Sequence, residues 1–163
     1  DSLVRGAAVF SAPTAVSALD FSEGIDDESH TVAFQDMLGL TPKDILGCRW
    51  RSTAPLQPAY IVSVDHIMQW VVVSVRGTLT LKDITTDLAC SPAPFLDSYA
   101  HGGFAAAAEN LALELTELLL RAFRQFPSYR LVCCGHSMGA ACAGLLAARL
   151  QASKDESGSE PEV

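Results

Sequence analysis

The chain of 163 residues is long enough for one domain of ordinary size and too short for two comfortable ones. Apolar residues make up 49% and charged residues 18%, which excludes a disordered, collagenous or coiled-coil chain. Net charge is −8, but it sits in the flanks: −6 in residues 1–36, +1 in residues 37–150 and −3 in residues 151–163. No basic face marks a nucleic-acid partner.

Mean hydropathy is +0.24, yet the longest apolar stretches, around Val71–Val75 and Ala140–Ala148, fall well short of the ~20 residues a membrane span needs. The cysteines Cys48, Cys90, Cys133, Cys134 and Cys142 form no C-x-x-C and have no matching histidine spacing for zinc. They read as buried, reduced thiols of a cytosolic-facing compartment. The sequence opens on Asp1 with no basic n-region ahead of an apolar run, so a signal peptide is absent or removed and the true start is expected upstream.

Residues 1–36 are an acidic, Ala-rich flank in which Glu23–Ser29 reads as a solvated loop. Thr41-Pro42-Lys43-Asp44 is a helix start: Thr41 caps, Pro42 takes the first helical position, and Asp44 places its charge at the N-terminus. A short helix ending by Gly47 is expected. Ala59–Val64 and Gln69–Arg76 are rich in β-branched residues and predict two strands joined by a tight turn near Asp65 and His66. From Phe104 to Phe126, apolar residues recur at spacings of three and four (Phe104, Ala108, Leu111, Leu115, Leu118, Ala122, Phe126), predicting a long helix with one buried face. Pro127 stops it. Arg130–Cys134 then reads as a short buried strand, followed by an Ala-rich helix to about Gln151, while Ser153–Val163 has the composition of a disordered linker. Strand, long helix, strand, helix is the pattern of an α/β fold with a largely parallel sheet.

Gly135-His136-Ser137-Met138-Gly139 fits G-x-S-x-G, the nucleophile elbow, in which a sharp strand-to-helix turn lifts a serine hydroxyl out of the sheet. Chance yields the pattern in roughly one chain in twenty of this length, so its context carries the weight. It follows a predicted strand directly and precedes a helix of small residues that could pack closely on the sheet. The alternative is a structural serine in a glycine turn. A serine nucleophile needs donors aimed at the oxyanion that forms on the attacked carbonyl. The Met138 N–H at the start of the new helix is one candidate; Thr78, ending the strand at Arg76-Gly77-Thr78, offers an N–H and a hydroxyl.

Val72–Thr78, Lys82–Leu88, His101-Gly102-Gly103-Phe104 and Gly135–Gly139, in this order and spacing, resemble the successive blocks of the class 3 (fungal-type) lipases. Gly39–Leu46, Pro58–Asp65 and Arg76–Asp83 resemble most the diacylglycerol lipase branch, which cleaves the sn-1 ester. The resemblance covers roughly residues 31–151. It implies an α/β-hydrolase fold, mostly parallel in its sheet and incomplete at the C-terminal side, with residues 37–151 as the N-terminal part of the domain. It also implies Ser137 as nucleophile, Thr78 and Met138 as the oxyanion hole, and Thr80–Leu88 as the lid. Independently, Thr80 with Asp83 resembles a capping box, and Leu81, Ile84 and Leu88 then share one face. Such a stripe suits a lid over an acyl groove or an ordinary buried helix.

The triad partners in this fold follow the serine in the order Ser, Asp or Glu, His, and no histidine follows Ser137. His30, His66, His101 and His136 do not occupy the family's position, and Asp155 lies in the acidic tail. Residues 152–163 are therefore expected to be a disordered tail or the start of an insertion, and the chain a fragment. The expected function is a serine lipase acting on an acyl ester of diacylglycerol or a related glycerolipid through an acyl-enzyme, inactive as this chain alone. The alternatives are a non-catalytic lipase-like lipid- or partner-binding module, and a triacylglycerol lipase or phospholipase A1 of the same fold. The expected partner is glycerolipid at a membrane or lipid interface, with the complete protein membrane-associated. Calcium is associated with the branch by resemblance only; no D-x-D-x-D-G loop appears, and no cofactor or metal site is assigned.

Overall fold

The computed structural model describes residues 27–52, 56–77 and 91–156. Thr78, Leu81, Ile84, Leu88 and Cys90 lie outside that set. In chain order the elements are α1 (Asp27–Leu38), a single 3-10 turn (Pro42–Asp44), β1 (Ile45–Arg49), β2 (Tyr60–Asp65), β3 (Trp70–Val75), β4 (Pro92–Phe95), β5 (Ser98–His101), α2 (Gly102–Gln125), β6 (Arg130–Gly135) and α3 (Met138–Glu156). β1, β2, β3 and β6 form one sheet in that order; β4 and β5 form a separate two-stranded ribbon.

The strand, helix, strand, helix order produces the α/β layering. β3 and β6 are parallel, Val71 opposite Leu131 and Val75 opposite Gly135, because the chain returns through α2. The described sheet is mixed rather than mostly parallel, since β1 with β2 and β2 with β3 pair antiparallel; the β2–β3 link is a tight turn, which reverses direction. Opposite residues share a face. Val62, Val71, Val73, Val75, Leu131 and Cys133 thus form one apolar face, packed on Leu111, Leu115 and Leu119 of α2 and Cys142, Ala143 and Leu146 of α3. Leu111, Leu115 and Leu146 are fully buried, each such side chain stabilising the fold by ~1.5–3 kcal/mol. On the other face, Val72, Ser74, Val132 and Cys134 are half-buried, and Ser74 Oγ meets Cys134 Sγ at 3.1 Å.

Four local expectations are corrected. The capping signal at Thr41 is real: its N–H and hydroxyl donate to Asp44 Oδ2 at 2.7 and 2.8 Å. It closes only one 3-10 turn, and Ile45–Arg49 becomes strand β1 instead of helix, because β2 offers it a pairing edge and Gly47 leaves room for Leu118. Glu23–Ser29 is not all loop, since α1 begins at Asp27; Phe34 and the buried His30 pack on Trp50, ring centroids 5.7 and 5.8 Å away. Finally, α3 runs past Gln151 to Glu156, and Cys48 is exposed while Cys133 and Cys142 are buried.

Candidate active site

Everything at the C-terminal end of β6 is built around close backbone approach. Ser137 has φ 54, the left-handed region that L-residues other than Asn and Asp seldom adopt. Its carbonyl accepts the Ala140 and Ala141 N–H groups at 3.0 and 3.3 Å, and the His136 carbonyl accepts the Gly139 N–H at 3.0 Å. Strand becomes helix within three residues, and Ser137 is left exposed at the turn.

Glycines make the turn fit. A Cβ at Gly139 would stand 2.3 Å from the Val75 carbonyl oxygen and 2.8 Å from the Gly77 nitrogen. At Gly135 it would meet the Gly139 carbonyl at 2.5 Å. The third member of the seam comes from β3: a Cβ at Gly77 would stand 2.4 Å from the His136 carbonyl oxygen and 3.6 Å from Ser137 Cβ. The seam thus brings the end of β3, the residue before Thr78, against the serine turn. Because β3 and β6 are paired in register, the two strand ends arrive at one height.

Met138 opens α3, so its N–H lies at the positive end of a helix dipole. Among the described residues no imidazole or carboxylate hydrogen-bonds the Ser137 hydroxyl. His136 is exposed beside the serine. His101 lies at the start of α2 over Phe104, centroids 4.2 Å apart, with both ring nitrogens buried and without a hydrogen-bond partner among the described residues. His66 is at the opposite end of the sheet, Nε2 3.2 Å from Asp44 Oδ1 and Nδ1 2.8 Å from the Tyr129 hydroxyl. Thr41 N–H, then its hydroxyl, hold the Asp44 carboxyl below the ordinary carboxylate range. On the side of the sheet near the serine, Arg49 Nη1 meets Glu114 Oε2 at 2.6 Å and Tyr60 OH donates to Glu114 Oε1 at 2.8 Å. Burial, with Glu114 beside it, pushes the Tyr60 hydroxyl up to about 12. Burial likewise pushes the Cys133 thiol up to about 12, leaving it inert. Among the described residues no group of three or more His, Cys, Asp or Glu is placed to hold a metal.

A parallel strand pair ending in a strained, exposed serine that begins a helix is the architecture of the α/β-hydrolases. The sequence pattern described as lipase (class 3) matches residues 72–163. The chain is 35% identical to diacylglycerol lipase-beta of Mus musculus over 140 residues, 81% of this chain and 21% of that protein. It is 34% identical to diacylglycerol lipase-alpha of Homo sapiens over 106 residues, 57% of this chain and 10% of that protein. Among solved structures, the triacylglyceride lipase of Rhizomucor miehei superposes with a TM-score of 0.60 at 24% identity, covering 69% of this chain and 43% of that one. A triacylglycerol lipase described as having a serine-protease triad at its catalytic centre gives 0.58 at 26%, covering 68% and 42%. The chain belongs to the class 3 lipase family, beside its diacylglycerol lipases. It spans about a fifth or less of the length of the diacylglycerol lipases it matches.

Proposed function

We propose that Ser137 is the nucleophile of a serine lipase that hydrolyses an acyl ester of diacylglycerol or a related glycerolipid. The observation that carries this reading is the φ of 54 at an exposed serine between β6 and α3; backbone strain of this kind costs ~1–3 kcal/mol and persists where surrounding structure enforces it. Ser137 Oγ attacks the ester carbonyl, the glycerol oxygen leaves, and water then releases the fatty acid from the acyl-enzyme. The Met138 N–H stabilises the oxyanion in both steps. Family resemblance supports Thr78 as the second donor and Leu81, Ile84 and Leu88 as the apolar face of a cover over the acyl chain. The base that takes the Ser137 proton is an imidazole from outside these 163 residues, since the fold's order places it after the serine and no histidine follows Ser137.

Labelling of the full-length protein by a fluorophosphonate probe tests the nucleophile. Ser137→Ala is expected to abolish both labelling and diacylglycerol hydrolysis. Labelling that survives the substitution overturns the assignment, and a wild-type protein that never labels is instead the non-catalytic lipid-binding module.

A further inference from the structure

One polar junction, where α2 meets the last turns of α3, serves no step of the hydrolysis. Arg149 Nε donates to Glu109 Oε2 at 3.1 Å and ties α3 to α2. The same guanidinium donates through Nη1 to Ser153 Oγ at 2.7 Å, and that hydroxyl donates in turn to the Arg149 carbonyl at 3.1 Å. Ser153 follows Arg149 by one helical turn, so the two side chains are neighbours on the helix surface. It is exposed, in the last turn of a helix that ends at Glu156, and helix ends fray. An enzyme that has to draw a serine into an extended pose can therefore reach this one.

The sequence at and after Ser153 has a regular pattern. In Ser153-Lys154-Asp155-Glu156-Ser157-Gly158-Ser159-Glu160-Pro161-Glu162, each of the serines has a glutamate three positions on. A hydroxyl residue with an acid at that spacing also marks a capping box, and Thr41 with Asp44 is one in this chain. A capping box opens a helix, whereas Ser153 is at the closing end of one and its hydroxyl turns back to the carbonyl of residue 149. Capping therefore does not account for the pattern at Ser153. Acids on the C-terminal side of a serine attract protein kinases whose substrate sites are basic, the charge pairing by which kinases select substrates. A kinase that reads bases ahead of the serine finds only Arg149, four residues back and already paired with Glu109.

We propose that Ser153 is a phosphorylation site for an acid-directed protein kinase and that Arg149 holds the resulting phosphate. The γ-phosphoryl group of ATP passes to Ser153 Oγ, its bond to the ADP oxygen breaks, and the serine proton goes to the kinase's catalytic carboxylate. The phosphate brings a charge of about −1.5 to −2 near neutral pH and three acceptor oxygens. The carbonyl end of α3 opposes a negative group there. The guanidinium outweighs it, because a full positive charge already in hydrogen-bond contact with Oγ faces only about half a unit of charge spread over the last turn. Nη1 takes the phosphate while Nε keeps Glu109. The modification thereby fastens the far end of the helix that begins beside Ser137 to α2, and nothing in it depends on Ser137 being a nucleophile.

The full-length protein is incubated with casein kinase II, ATP and magnesium, and its phosphates are mapped by mass spectrometry. Phosphate is expected on Ser153 of the native protein, and Glu156→Gln should slow incorporation there severalfold. A native protein that takes phosphate on Ser157 or Ser159 but not on Ser153, incorporation at Ser153 only after heat denaturation, or an unchanged rate in Glu156→Gln overturns the site. The part of Arg149 is read by removing the phosphate again. Alkaline phosphatase should clear Ser153 roughly three- to tenfold faster in Arg149→Gln than in the parent, with Arg149→Lys in between and the rate at Ser157 alike in all three. Glutamine is a good helix former, so α3 persists in that variant. Equal rates at Ser153 in the parent and in Arg149→Gln overturn the contact between phosphate and guanidinium.

Discussion

The two ends of the central sheet solve opposite problems with the same strands. At the serine end, backbone meets backbone: Gly77, Gly135 and Gly139 each sit where a Cβ would stand within 2.6 Å of a main-chain atom, and Ser137 is strained. At the other end, side chains do the joining. Asp44, His66 and Tyr129 link the 3-10 turn, the β2–β3 turn and the connection into β6 through exposed or half-buried hydrogen bonds, and Asp65 Oδ1 accepts the Ile67 and Met68 N–H groups at 2.9 Å each. Along α2 the acids Glu109, Glu114 and Glu117 precede the bases Arg121 and Arg124, and Arg124 lies in the last turn, where its charge is favourable to the helix dipole. The serine end has little freedom to change because backbone cannot be repacked; the other can lose a side chain and keep its shape.

The largest test of that contrast is Gly139→Ala. It should cost at least the ~1–3 kcal/mol of ordinary overpacking in urea denaturation and eliminate fluorophosphonate labelling. Gly39→Ala is strained as well, at φ 66, but meets nothing within 4 Å; it should cost ~1–2 kcal/mol with labelling intact. Equal labelling in the two variants would remove the distinction between the ends.

Acid sharpens the comparison from the other side. The Asp44 carboxyl is held low chiefly by the Thr41 N–H, so its contribution is present above the ordinary carboxylate value of about 3.8 and is lost as pH falls through the depressed folded value. In Asp44→Asn the fall in Tm on acidification below that value should be shallower than in the parent, while labelling at neutral pH is unchanged. The smallest effect concerns Tyr60. Its hydroxyl is pushed up to about 12, so the unfolded chain releases that proton first and stability declines as pH rises above about 10. An ultraviolet titration should show one tyrosine ionising late, and Glu114→Gln should bring it earlier.

What the sequence disclosed follows the same division. β2, β3 and β6 are legible because both faces of their strands are largely apolar, α2 because its stripe has helical spacing, and the elbow because a strained turn admits few residue types. Even so, Leu119 is buried while Leu118 is half-buried on Gly47, a shift of one position within the stripe. β1 was hidden behind a true capping signal and a central glycine. The β4–β5 ribbon was hidden by Pro92 and Pro94, residues that argue against a strand but are tolerated in a two-stranded ribbon. α1 was obscured by its acidic start, since its contact with Trp50 is a tertiary fact. Nothing in local pattern discloses that Gly77 lies against Ser137; a glycine at the end of a predicted strand, with an elbow on its parallel neighbour, was the available signal.

The register of β3 against β6 also bears on how such a chain can diverge. Six paired positions, from Trp70 with Arg130 to Val75 with Gly135, set the heights of Gly77 and Ser137. An insertion or deletion inside either strand would displace one strand end by ~3.3 Å relative to the other and open the glycine seam. α2 is restricted too, because a length change inside it would turn Leu111, Leu115 or Leu119 away from the sheet. Length variation among descendants of this sequence should therefore accumulate outside β3, α2 and β6, while the two strands keep equal length, and a gap in one would have to be matched by a gap in its partner.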